Sequence, residues 1–275
     1  MLKILFLSLF SFSLFAQGTM TPKEASLMKA EGVRLWPKRD VKESLEEAIS
    51  KFDLAFQADP QDLETVVYLV RSYFILADAH TTDNEDKKRF LEKAKDVGMV
   101  GLKSNPEFKN LVDKKGEDVE DAVKVLTQKE VAVAYWTAAS LGRWAKANGI
   151  FASMKYKDQI LGLLKKVEQL KPDFFHGAVP RYWGSYYAAI PSIAGKDLKK
   201  SKKYFEQSIV MAPEYLGTKV LMAEIYCVEA EDKKLFKKLL LEVIADQNPA
   251  AEVAPENAIE RKKAEKLLEK EDELF

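Results

Sequence analysis

The chain has 275 residues, 47% of them hydrophobic and 31% charged, with 43 basic and 43 acidic side chains. This is enough apolar material for one elongated repeat domain or at most two compact ones. The even charge balance gives no net field toward nucleic acid or an acidic membrane surface, so neither is expected as a partner.

Lys3 precedes an uncharged, largely apolar run from Ile4 to Phe15, and Ala16 and Gly18 place small residues at −3 and −1 for cleavage after Gly18. This reads as a secretory signal peptide over residues 1–18, too short to span a bilayer, followed by a single helical domain over 19–275. No Cys follows the run, so no lipid-attachment site is expected and the mature protein should be soluble. Cys227, the sole cysteine, builds no internal disulfide; it lies on an apolar helix and is expected to be a buried, inert thiol.

A first helix is predicted over 19–35, opened by Thr21-Pro22 with Glu24 in its first turn. Asp40 is expected to cap the second, with Glu43 at the capping-box position and an inward stripe of Leu45, Ala48, Ile49, Phe52 and Phe56. Asp59-Pro60 stops it, because the residue before proline is pushed out of the α region. Leu63, Val66, Leu69, Val70 and Tyr73 mark a third helix to about Ala79. After Thr82-Asp83-Asn84 a fourth carries Leu91, Ala94, Val97 and Leu102, with Gly98 and Gly101 permitting close neighbours. Residues 107–128 are irregular, with a solvated loop at Lys114–Asp118 and a short helix. A long helix from Lys129 ends at Asn148-Gly149, residues 150–156 connect, and 157–170 are helical. The next helix begins at Pro180 and ends at Pro191, and Asp197 caps its partner. Further helices follow over 215–230 and 232–246, closed by Asn248-Pro249. A charged terminal helix over 256–270 suits the cap that a solenoid needs over its last apolar face.

One spacing recurs through these elements: small residue, aromatic four later, small residue three later, proline five later. It appears as Ala48, Phe52, Ala55, Pro60 and again as Ser201, Phe205, Ser208, Pro213. Weaker copies place Ala94 and Ile160 twelve residues before Pro106 and Pro172. This is the second half of a tetratricopeptide-type helix–turn–helix repeat. The expected fold is therefore all-α, an α-solenoid of eleven to thirteen helices in stacked antiparallel pairs.

Two stretches carry no charge, Val131–Gly142 and Tyr182–Gly195. A helix uncharged all round is expected to be buried all round, which puts both at the centre of the molecule and against each other. Both are crowded with rings and small residues. Tyr135, Trp136, Trp144, Tyr182, Trp183, Tyr186 and Tyr187 are the candidate lining of an apolar ligand cavity, with hydroxyls to orient a head group. The same pattern equally describes plain core helices, and both readings stay open here.

The run Gly177-x-x-Pro180-Arg181-Tyr182-Trp183-Gly184-x-Tyr186-Tyr187-Ala188-x-Ile190-Pro191, followed by Gly195-Lys196-Asp197, resembles the T component family of tripartite ATP-independent periplasmic (TRAP) transporters. Ala134-Tyr135-Trp136-x-Ala138-Ala139 with Trp144 fits the same family. So does Ala212-Pro213-Glu214-Tyr215, leading to Val220-Leu221-x-Ala223-x-x-Tyr226-Cys227. The resemblance covers roughly residues 40–250. It implies a periplasmic tetratricopeptide-like homotrimer with a pore or cavity through each protomer. It also implies association with the substrate-binding P component and a hydrophobic ligand. The alternative, from another class, is a periplasmic scaffold for envelope protein assembly that holds a peptide or helix in an open concave groove.

Catalytic and cofactor signatures are absent from the sequence. His80 and His176 have no ligand partner at helical spacing and no Cys pair exists, so no metal site is expected. No glycine-rich phosphate loop occurs, and Gly184-Ser185 lies in a helical pattern with no preceding strand, which excludes a nucleophile elbow. The expectation is a non-enzyme without cofactor.

Overall fold

The computed structural model describes residues 20–246 and 250–275. The signal segment at 1–18 and the Asn248-Pro249 stop lie outside the described residues. Among those residues the protein is all-α, with fourteen α-helices and no strand. Helices α1 (Pro22–Leu35) and α2 (Lys42–Ala58) form one pair, α3 (Leu63–Ala79) and α4 (Asn84–Leu102) a second. Short α5 (Pro106–Lys109), a π turn over Asn110–Lys114 and α6 (Val119–Ala122) make the irregular passage. Then α7 (Val131–Ala147) pairs with α8 (Ile150–Leu170), and α9 (Phe174–Ala189) with α10 (Leu198–Met211). The last pair is α11 (Gly217–Leu221), continued by a π segment over Met222–Cys227, with α12 (Lys233–Ala245). The chain closes with α13 (Ala254–Glu269) and α14 (Glu271–Leu274).

The recurring spacing has a common physical basis at its two clearest copies. Phe52 and Phe205 are fully buried. Each ring lies where the partner helix has a glycine: a Cβ on Gly32 would stand 2.5 Å from Phe52, and one on Gly184 would stand 2.8 Å from Phe205. The small positions also let the partner backbone approach, and Ser201 and Ser208 donate to the carbonyls of Gly184 (2.7 Å) and Gly177 (2.8 Å). Burying each ring contributes about 1.5–3 kcal/mol. Gly98 works the same way between pairs, since a Cβ there would meet Thr137 of α7.

Local signals place most boundaries. Thr21 and Glu24 form a reciprocal capping box, and Asp62, Asp83 and Asp197 cap α3, α4 and α10 through their side chains. Two expectations fail. Asp40 does not cap α2: a 3₁₀ turn at Trp36–Lys38 shifts the start, so extended Val41 takes the cap position with no side-chain bond. Residues 150–156 are not a connector but the first turns of α8, which begin directly after Gly149 at φ 93°. Ile150, Phe151 and Met154 are exposed there, so no packed face marks the segment in the sequence.

Two buried apolar clusters share the interior, one built from Trp36 through α9 together with Ile259 of α13, the other from α10 to α13. The charged terminal helix covers the second cluster through Ala264. It also runs back to the N-terminal half, where Glu256 meets Arg39 and Arg71, and Lys263 meets Asp78.

Candidate functional site

The two uncharged stretches do not behave alike. From Val133 to Leu141 every residue of α7 is buried, against α3, α4 and α8. On α9, Arg181, Trp183, Gly184 and Ala188 are buried, but Tyr182, Tyr186 and Tyr187 are only partly so, and Ile193 beyond it is 99% exposed. Tyrosine explains the difference, because its hydroxyl can stay at the water boundary while the ring packs.

Six of the seven aromatic residues fall into three places, and Tyr182 stands apart from them. Tyr135 and Trp136 pack edge-on to each other, Tyr135 tilted against Phe174 and Trp136 edge-on to Phe175, with centroids 5.0–5.3 Å apart. Trp144 packs edge-on to Tyr156, with the Lys95 ammonium over its ring. Trp183, Tyr186 and Tyr187 form an outer group with Tyr204, and the Trp183 indole donates to Glu168 (3.2 Å). Tyr182 bridges α9 to α7, its hydroxyl 3.0 Å from where a Cβ on Gly142 would stand; burial pushes its pKa up. The two helices thus meet through side chains, and the seven residues do not surround one common space.

A pocket of about 540 Å³ lies beside the first of these groups, within the range of roughly 300–1,000 Å³ usual for small-molecule sites. None of the seven lines it directly, but Trp136 stands behind Phe175, which does. Its wall is aromatic and cationic: Trp36, Arg39, Tyr68, Arg71, Phe175 and His176, closed on one side by Val253 and Glu256 ahead of and within α13.

Two features build this wall. The first is a turn at Phe175, His176 and Gly177, with φ of 42°, 52° and 68°. Only glycine adopts this region at little cost; the other two cost on the order of 1–3 kcal/mol each unless the surroundings hold them. Buried Arg181 does so, donating to the carbonyls of His176 (2.8 Å) and Phe175 (3.4 Å) and to Thr218 (3.2 Å), while lying 4.4 Å over the Tyr215 ring. The turn brings Phe175 and His176 to the pocket, and His176 stacks on Tyr215 and meets Glu214 at 3.2 Å.

The second feature is a pair of arginines on one carboxylate. Arg39 is well satisfied: it donates to Glu256 twice, to the carbonyl of Trp36 (3.0 Å) and to that of Glu252 (3.1 Å). Arg71 donates only to Glu256 (3.1 Å), and its Nε is buried with no acceptor. Its guanidinium is instead packed among rings, 4.9 Å from Trp36, 5.2 Å from Trp136 and 4.7 Å from Phe175. Burial pulls the Arg71 pKa down, and Glu256 offsets part of that. The arrangement can hold an apolar or aromatic body against Trp36, Tyr68 and Phe175.

The sequence reading missed Arg39, Arg71 and Glu256. One signal was available: α3 carries only Glu64, Arg71 and Asp78 as charges, seven residues apart, on an otherwise uncharged helix. No group of three or more metal-ligating side chains occurs among the described residues, and no described helix is long and apolar enough to cross a membrane.

A protein-family model described as TRAP transporter T-component matches residues 75–275. No curated protein matches the chain. The match takes in α4–α14, whereas Trp36, Arg39, Tyr68 and Arg71 precede it.

Proposed function

The chain belongs to the TRAP transporter T-component family, and we propose that it acts outside the cytoplasm as a homotrimeric accessory protein that docks the system's substrate-binding protein and shelters a hydrophobic ligand. The match over residues 75–275 carries this reading. The ligand part is supported by the pocket, whose aromatic wall continues through Phe175 into Trp136 and Tyr135. In this reading the body of the ligand lies against Trp36, Tyr68 and Phe175. Tyr135 and Trp136 back that wall, and Trp144, Tyr182, Trp183, Tyr186 and Tyr187 brace the helices that present it.

The test is to mix the purified mature chain with the substrate-binding protein of the same transport system and weigh the species by size-exclusion chromatography with light scattering. A peak holding both proteins, with the chain in threes, is expected. Separate elution at all concentrations up to about 100 μM would remove the docking reading, since transient partners still associate in the μM range.

A further inference from the structure

Among the described residues, Arg71 is a largely buried charge on the pocket wall with most of its donors unpaired. A guanidinium presents five N–H donors and cannot shed its proton in a protein. Arg39 uses four of its five, on the same carboxylate and two carbonyls. Arg71 makes one, and its Nε has none. The Nε is enclosed, so the donors open to an acceptor entering the pocket are those on the two terminal nitrogens, of which Glu256 takes one.

Charge arithmetic points the same way. At the depth of the pocket two guanidiniums face a single carboxylate, Glu256, an excess of one positive charge. The lining also carries Lys129, Glu64, Glu252 and His176. Glu64 is already paired with Lys29 at 3.0 Å, and Glu252 is 83% exposed, so neither neutralises the interior. The rings of Trp36, Trp136 and Phe175 hold the Arg71 guanidinium in one orientation, which removes most of the entropy cost of using it.

We propose that this pocket binds an amphiphile with a single carboxylate head, the head accepting from Arg71 and the apolar body lying on Trp36, Tyr68 and Phe175. The proposal rests on the ligand-sheltering reading above and adds the class of ligand. A carboxylate matches both the fork geometry and the one-charge excess; a neutral head supplies no charge, and an ammonium repeats the one already present. Arg39 and Arg71 lie ahead of the family match, which begins at residue 75.

Three probes of equal length decide it: decanoate, decanol and decylamine, titrated into the full mature chain at pH 7.5. Intrinsic tryptophan fluorescence is the readout, because Trp36 and Trp136 both lie within 5.2 Å of the Arg71 guanidinium. Decanoate should bind at least about tenfold more tightly than decanol, with decylamine weakest, as expected for a hydrogen-bonded charge pair out of water. Arg71→Gln should lose that preference and keep decanol binding, with a circular-dichroism melt to verify folding. Equal affinity for decanoate and decanol in the wild-type chain would overturn the carboxylate head and leave the sheltering reading standing. No response to any probe would overturn both. The wild-type comparison decides the matter even if the variant does not fold.

Discussion

Helix α13 meets the N-terminal half at two charged junctions, and they differ in kind. At the middle of the helix, Lys263 and Arg143 face Asp78 and Glu260, two cations against two anions, with Arg143 3.4 Å from Asp78 and Lys263 3.0 Å from Glu260. At its first turn, Glu256 faces both Arg39 and Arg71, one anion against two cations, beside an open pocket. The balanced set satisfies itself and needs nothing further to hold the last helix to α3. The unbalanced set holds the same two halves together but leaves one guanidinium short of acceptors. A structural junction can afford neither excess charge nor empty donors; a binding site needs both.

The largest expected effect comes from the balanced junction. Asp78→Asn leaves Lys263 and Arg143 facing only Glu260. Breaking a fully buried pair costs about 3–5 kcal/mol; Asp78 is about a fifth exposed, so about 2–3 kcal/mol is expected. Thermal unfolding should shift down by roughly 5–10 °C. The same residue sets a pH limb. Burial alone would raise its pKa, but Lys263 and Arg143 outweigh it and hold the carboxyl below the ordinary carboxylate range. A depressed folded value means its stabilisation is fully present above the unfolded pKa near 4 and is lost as pH falls below it. The wild-type melting temperature should therefore drop below about pH 4, and Asp78→Asn should flatten that limb.

Glu256→Gln should cost no more than Asp78→Asn, about 2–3 kcal/mol: loss of the carboxylate leaves two guanidiniums without a counter-charge, but Arg39 keeps its two carbonyl bonds and an amide oxygen still accepts. Its effect on ligand should run opposite to its effect on stability. With the competing carboxylate gone, decanoate should bind severalfold more tightly, whereas Asp78→Asn should leave that affinity unchanged. If isothermal titration shows both substitutions weakening decanoate equally, the two junctions are one structural device and the contrast between them fails.

The parts of the fold legible in the sequence were those set by neighbours in the chain. The Phe52 and Phe205 repeats, the bounds of α3 at Leu63 and Ala79, and the caps at Asp83 and Asp197 each follow from periodicity or a side chain within four residues. Cys227 is likewise buried, its thiol pushed up to about 12 by burial, as an inert core residue should be. The pocket was not legible, because its charges lie 185 and 217 residues apart along the chain and meet only when α13 returns. On a helical wheel, Arg71 looks like any solvated charge unless it is set against the otherwise uncharged α3 around it. The uncharged stretches misled in part for the same reason: lack of charge marks a surface that avoids ions, and Tyr186 and Tyr187 achieve that while half open to water.

The smallest expected effect sharpens the contrast by removing burial from it. Lys233 meets Asp272 at 3.2 Å and Glu271 at 3.4 Å, a third place where the C-terminal segment is tied back by charge. Counted as ion pairs, this site rivals the Asp78 junction. Asp272, however, is 99% exposed and Lys233 about half, so water solvates both whether or not they touch. Asp272→Asn should therefore leave the melting temperature within about 1 °C of wild type at every salt concentration. A loss approaching that of Asp78→Asn would mean that α14 is anchored by charge alone. The difference between the two junctions of α13 would then lie in position along the helix, with desolvation playing no part.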